Sequence, residues 1–249
     1  MSLWSKFFSG GEQHQTEQGP EYHARAMAET MARLSSTNDL EHNTELAIDL
    51  YRHWGDTLDS TRESFVRSCL KEFDGKEGNI LLSSASLMTL ILGALSEGYK
   101  DRRVWCLEHD AHWTNTIRSW LARCSIKGTY IIRAPIAVIG GMVRYQILTR
   151  HLPRNITMMI CERTGAAPGS TLSTLVTVGP HLADDFTIFA RRVDISAEAP
   201  LIKRWASKHN ANFVVVDARE GFVRVSRRAG MQNEGKAVYE PREPLQATA

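Results

Sequence analysis

The chain lacks the features that would place it at a glance. Its charge is nearly balanced, with 30 basic against 28 acidic side chains in 249 residues. Binding by bulk attraction to nucleic acid or anionic lipid is therefore not implied. No apolar run reaches the roughly 18 residues that a membrane span requires. The opening Met1-Ser2-Leu3-Trp4-Ser5-Lys6-Phe7-Phe8 is too short for the apolar region of a signal peptide, and no small-residue cleavage site follows it. It is expected to be a frayed end, with a short docking segment as the alternative. The four cysteines, Cys69, Cys106, Cys124 and Cys161, form no Cys-x-x-Cys pair. Buried free thiols in a reducing, cytoplasmic setting are the expectation. His109 and His112 lie three apart, as a helical metal pair would, but no third ligand accompanies them, so no metal site is expected.

What is present is an alternation. Residues 1–21 read as a flexible leader, and 22–73 as a helical extension. In that extension Asn43 or Thr44 can cap a segment carrying Leu46, Leu50 and Trp54, and Phe65, Cys69, Leu70 and Phe73 repeat at helical spacing. From residue 74 to 227 strands and helices then take turns. Strands are predicted at Asn79–Leu82, Val104–Leu107, Tyr130–Arg133, Ile156–Cys161 and Phe186–Phe189. Helices are predicted around Leu87–Leu95, Trp113–Cys124, Leu172–Val176 and after Pro200. Such alternation implies a mostly parallel sheet covered on both faces. Phe213–Val216 and Phe222–Val225 break the rhythm, because the five residues between them cannot hold a crossover helix and must form an antiparallel hairpin. Residues 228–249 read as a polar, disordered tail.

The run from Ile80 to Asp110 carries the functional signal. An apolar strand leads into Ser83-Ser84-Ala85-Ser86, then a helix, then a strand ending in Glu108-His109-Asp110. Glu108 lies 22 positions after Ser86, where an acid that pairs with the ribose hydroxyls of a nucleotide-type cofactor belongs. The alternative is a solvent-facing acid at a strand end. The glycines such a turn usually uses are absent: Ser84 and Ser86 either contact a cofactor or only cap the following helix. Asp110 is placed to cap the helix bearing Trp113, which either flanks an adenine or packs in the core. Glu162 ends a buried strand and is a general base, a partner for the sulfonium side of a cofactor, or an ion-pair partner of Arg163 or Arg191. Arg191-Arg192 either draws in an acidic substrate or is simply solvated.

These motifs, in this order, resemble the class I S-adenosylmethionine-dependent methyltransferases. Leu107-Glu108-His109-Asp110 with Trp113, Ala134-Pro135-Ile136 with Tyr145, Leu87-Met88-Thr89, and Pro168-Gly169 carry the likeness over roughly residues 79–227. It implies a three-layer α/β/α Rossmann-like methyltransferase fold, with a seven-stranded mostly parallel sheet, a C-terminal antiparallel hairpin and added N-terminal helices. It also implies S-adenosylmethionine as cofactor, held by Ser84, Ala85, Ser86, Glu108, His109, Trp113, Ala134 and Pro135, with Glu162 as the catalytic candidate. The chain departs from the pattern where Leu82 replaces the acid that ends the first strand, where Ser84-Ala85-Ser86 replaces Gly-Ser-Gly, and where Ile188 and Phe189 replace an acid pair. Two functions stay open at this point. One is methyl transfer to a small molecule or glycan. The other is a degenerate methyltransferase fold serving as a binding or assembly module, with a protein partner reached through the N-terminal helices.

Overall fold

The computed structural model describes residues 20–54, 60–139, 142–162 and 169–230. The expectations for the leader and the tail fall almost wholly outside these residues, as does the segment holding Arg163 and Pro168.

Three helices come first: α1 (Pro20–Ser36), α2 (Leu40–Trp54) and α3 (Ser60–Asp74). The cap of α2 is neither Asn43 nor Thr44. Asp39 takes that place, its Oδ1 accepting from the backbone N–H groups of Glu41 and His42 at 3.0 and 3.1 Å. A short carboxylate one residue before the helix satisfies donors that the helix leaves orphaned. Asn43 and Thr44 lie inside the first turn, and the Thr44 hydroxyl donates back to the Leu40 carbonyl.

β1 (Asn79–Leu82), α4 (Leu87–Ser96), β2 (Arg103–Glu108), α5 (Ala111–Arg123) and β3 (Thr129–Arg133) follow as the sequence predicts. The chain then makes a small separate hairpin, β4 (Ile136–Ile139) with β5 (Met142–Tyr145), paired antiparallel. Sequence reasoning passed over this hairpin. Its signal was the Gly140-Gly141 pair between the β-branched run Ile136-Ala137-Val138-Ile139 and the run Met142-Val143-Arg144-Tyr145. The main sheet resumes with β6 (Ile156–Glu162), α6 (Ser170–Val178), β7 (Leu182–Arg191), α7 (Ala199–Lys208), β8 (Asn212–Asp217) and β9 (Phe222–Arg227).

The seven strands of the main sheet lie in the order β3-β2-β1-β6-β7-β9-β8. Neighbours from β3 through β7 pair in parallel, while β9 runs antiparallel to both β7 and β8. The hairpin prediction therefore holds, with the reversed strand inserted between two forward ones. Its turn depends on Gly221: at φ +59° a Cβ there would stand 2.2 Å from the Val193 carbonyl oxygen.

Side chains alternate between two buried layers. Ile80, Leu82, Met158, Ile160 and Phe189 face α1–α5, and Leu81, Met159, Cys161 and Ile188 face α6 and α7. The apolar faces of α1, α2 and α3 belong to the first layer, so the N-terminal helices share the core of the sheet. Cys69, Cys106 and Cys161 are buried free thiols and Cys124 is half-buried. Burial pushes the Cys161 thiol up to about 12 and the Cys124 thiol up to about 11, so both stay protonated at neutral pH. No helix among the described residues is long and apolar enough to cross a membrane.

Candidate functional site

Successive connections leave β1 toward β2 on one side and later return to β6 on the other. The carboxyl ends of β1 and β6 therefore flank the point where the winding reverses, the place where open α/β sheets bind ligands. The candidate residues converge here.

The turn after β1 is held from every side by the chain itself. Glu108 is 2% exposed. Its Oε2 accepts the Ala85 N–H at 3.0 Å and its Oε1 accepts the Asp110 N–H at 2.9 Å. His109 Nδ1 stands 3.1 Å from the same Oε1, without the geometry of a hydrogen bond. The Ala85 carbonyl accepts from the Trp113 indole N–H at 2.7 Å, and the Tyr145 hydroxyl donates to the Ser83 carbonyl. Glu108 from β2, Trp113 from α5 and Tyr145 from β5 thus each bond the backbone of the turn, while Glu108 also bonds the Asp110 N–H that follows its own strand. Trp113, half-buried at the edge of the core, thus packs and hydrogen-bonds at once.

The serines divide their work. Ser86 is the N-cap of α4, extended at φ −151°. Its N–H donates to the Thr89 hydroxyl at 3.1 Å, while its own hydroxyl is buried without a partner. The Ser83 and Ser84 hydroxyls reach across the switch point to the Glu162 carbonyl at 3.3 and 3.4 Å, the long end of the hydrogen-bond range. None of residues 83–86 has positive φ, so the turn is built without the left-handed backbone that glycine would serve. Leu82 is 1% exposed in the helix-covered layer, where the acid of the family pattern would be an unpaired buried charge.

Asp110 caps α5 as its position predicts, its Oδ1 accepting the Trp113 N–H at 2.7 Å. That bond, more than any other influence, holds the carboxyl below its ordinary range. Ala134 contributes only its backbone, the N–H donating to the Glu108 carbonyl at 2.7 Å, and it is fully buried on the opposite face. Pro135 is exposed, and its carbonyl accepts from Gln146.

Glu162 is half-buried at the end of β6, in register with Arg191 at the end of β7. Sequence reasoning weighed that pair but missed what covers it. Tyr51 from α2 and Arg62 and Phe65 from α3 come down over this edge. Burial and then the Glu162 charge raise the Tyr51 hydroxyl well above its usual value, while Arg62 and Arg191 oppose them. The available signal was a tyrosine and an arginine interrupting the apolar stripes of α2 and α3. No group of three or more histidines, cysteines or acids among the described residues is arranged to hold a metal.

The strand order, with a single reversed strand next to the last position, decides the architecture. The fold is the seven-stranded methyltransferase fold. No family model matches the chain, and no curated protein matches it. Among solved structures it is similar to precorrin-6y C5,15-methyltransferase from Geobacter metallireducens GS-15, at 11% identity over 70% of this chain and 93% of that one, TM-score 0.49. A putative O-methyltransferase from Klebsiella pneumoniae shares 14% identity over 80% of this chain and 90% of its own, TM-score 0.49. A putative methyltransferase from Streptococcus mutans in complex with SAH shares 12% over 61% and 90%, TM-score 0.43. Fold alone does not carry function, so the site's own chemistry must supply the rest.

Proposed function

We propose that the chain binds S-adenosylmethionine at the carboxyl edge of β1 and β2 and transfers its methyl group to a hydroxyl of a small molecule or glycan. The observation that carries this reading is the Glu108 carboxylate: an acid ending β2, beside the turn after β1, at the switch point of a methyltransferase sheet. With the cofactor bound, Glu108 would take the ribose hydroxyls and Trp113 would flank the adenine. Glu162 lies across the switch point, where the acceptor enters. S-adenosylmethionine held there would supply the methyl group, and Glu162 would take the proton of the acceptor hydroxyl.

A second reading has an observation of its own. Glu108 already spends both oxygens on backbone N–H groups, and each such charge-assisted bond contributes about 1.5–3 kcal/mol that a ribose would have to replace. With Leu82 in the core as well, this favours a methyltransferase fold that keeps its turn closed and acts as a binding or assembly module. Calorimetric titration with S-adenosylmethionine and S-adenosylhomocysteine separates the two. The enzyme reading expects saturable binding that Glu108→Ala weakens about tenfold or more, equivalent to about 1.4 kcal/mol. No binding at millimolar ligand overturns it in favour of the module.

A further inference from the structure

Between Ala111 and Cys161 the chain has six arginines and one lysine and no aspartate or glutamate. The rest of the chain carries 23 basic against 28 acidic side chains, so the balance of the whole conceals one cationic stretch. That stretch runs through α5, β3, the β4–β5 hairpin and the short 3-10 turn Thr149–His151. β3 is the outermost strand on its side of the sheet, and the hairpin continues from its end as a sheet of its own. Arg118, Arg123, Lys127, Arg133, Arg150 and Arg154 are exposed, and none of them forms an ion pair among the described residues. The acids that approach the stretch are engaged with backbone. Glu97 Oε1 accepts the Lys127 and Gly128 N–H groups at 2.7 and 2.6 Å. Glu108, in register with Arg133, holds the N–H groups of Ala85 and Asp110, and Asp110 caps α5.

The same stretch presents Tyr130, Ile136, Val138 and Leu148 to solvent. Val138 is 74% exposed and Leu148 55%. Ile136 and Val138 take alternate positions of β4, so they share one face of the hairpin. Aliphatic side chains set among unpaired cations match a surface that buries apolar groups and neutralises charge in one step, as the headgroup boundary of an anionic bilayer does. A nucleic-acid surface would offer stacking rings, and three of these four groups are aliphatic. We propose that this margin of the molecule docks on a bilayer surface rich in anionic lipid. Ile136, Val138 and Leu148 enter the headgroup–acyl boundary, and Arg133 and Arg150 engage the lipid phosphates. The docking is additional to methyl transfer and does not depend on cofactor binding.

The test is co-sedimentation of the whole protein with vesicles, with no nucleoside present, at about 0.15 M salt. One set of vesicles is phosphatidylcholine alone, and the other contains roughly one third phosphatidylserine. The expected result is saturable binding to the anionic vesicles that is about tenfold or more weaker on phosphatidylcholine alone and declines as salt rises. Arg133→Gln and Arg150→Gln should each weaken it about fivefold, the equivalent of about 1 kcal/mol per basic group. Val138→Ser combined with Leu148→Ser should weaken it about tenfold, while Leu201→Ser, at an exposed position of α7, should leave it unchanged. All these positions are exposed, so the unfolding midpoints of the variants should match the wild type. No sedimentation with the anionic vesicles at about 1 mM lipid overturns the proposal, as does binding that the two arginine changes leave intact. Binding that survives the Val138 and Leu148 changes is attraction of charge alone and overturns the membrane assignment. Competition by polyglutamate would then assign the surface to an acidic protein partner.

Discussion

The two sides of the switch point are built on opposite principles. On the β1–β2 side the polar groups of the turn are largely matched within the chain: Glu108 with two N–H groups, Trp113 with Ala85, Tyr145 with Ser83. On the β6–β7 side a buried guanidinium keeps an idle donor, and charges of both signs crowd under the N-terminal helices. The first side resists change, because breaking one bond orphans a buried partner. The difference teaches that one edge of one sheet can be held by short bonds to the backbone on one side and by a longer, half-screened ion pair on the other.

Substitutions at the closed side should have effects graded by how deeply each group is embedded. The largest should come from placing an acid at the end of β1. Leu82→Glu puts a carboxylate among Ile80, Ile160 and their neighbours at a site 1% exposed, and should cost roughly 3–5 kcal/mol, the scale of an uncompensated buried charge. Urea unfolding checks it. A loss under about 1 kcal/mol would mean the acid finds partners there and the turn is more open than described. Next comes Glu108→Leu, which leaves the Ala85 and Asp110 N–H groups without an acceptor. A loss of about 2–4 kcal/mol is expected, about 1–3 for the buried Ala85 donor and about 1 for that of exposed Asp110, and amide exchange of Ala85 should speed up in step.

Trp113→Phe keeps the packing but removes the donor to the Ala85 carbonyl, and should cost about 1 kcal/mol. The mildest effect is that of Asp110, whose carboxyl is held below its ordinary range by the Trp113 N–H. Because the folded value is depressed, its contribution is complete above the unfolded carboxylate range, about pH 4, and is lost as pH falls through the lower folded value. The stability gap between wild type and Asp110→Ala should therefore be constant from pH 7 to about pH 5 and shrink as pH falls below the ordinary carboxylate range of about 4. A gap that widens on acidification would contradict the cap.

Much of the closed side was legible in the sequence because its determinants are local. Apolar strands, the Asp110 cap, the Ser86 cap position and the short linker before Phe222 each act over a few residues, and the structure reproduces them. What Glu108 does was not legible. Spacing placed it beside the turn, but only the register of β2 against β1 shows that its oxygens fall on backbone donors. The β4–β5 hairpin is hard to read from sequence because its second run, Met142-Val143-Arg144-Tyr145, carries a single β-branched residue and a charge. The open side was the least legible of all. Arg62 and Tyr51 reach Arg191 and Glu162 only after three helices fold back over the sheet, and no local pattern encodes contacts over more than a hundred residues.

The central claim is that the closed turn opens to a nucleoside, with Glu108 passing from backbone to ribose. The amide resonances of Ala85 and Asp110 report on it directly during a titration with S-adenosylhomocysteine. Both donate to Glu108 in the free protein, so both should shift together and saturate as the carboxylate changes partners. Amides that stay in place at millimolar S-adenosylhomocysteine, or that remain fixed while binding is seen elsewhere, would contradict the account and leave Glu108 as the brace of a turn that never opens.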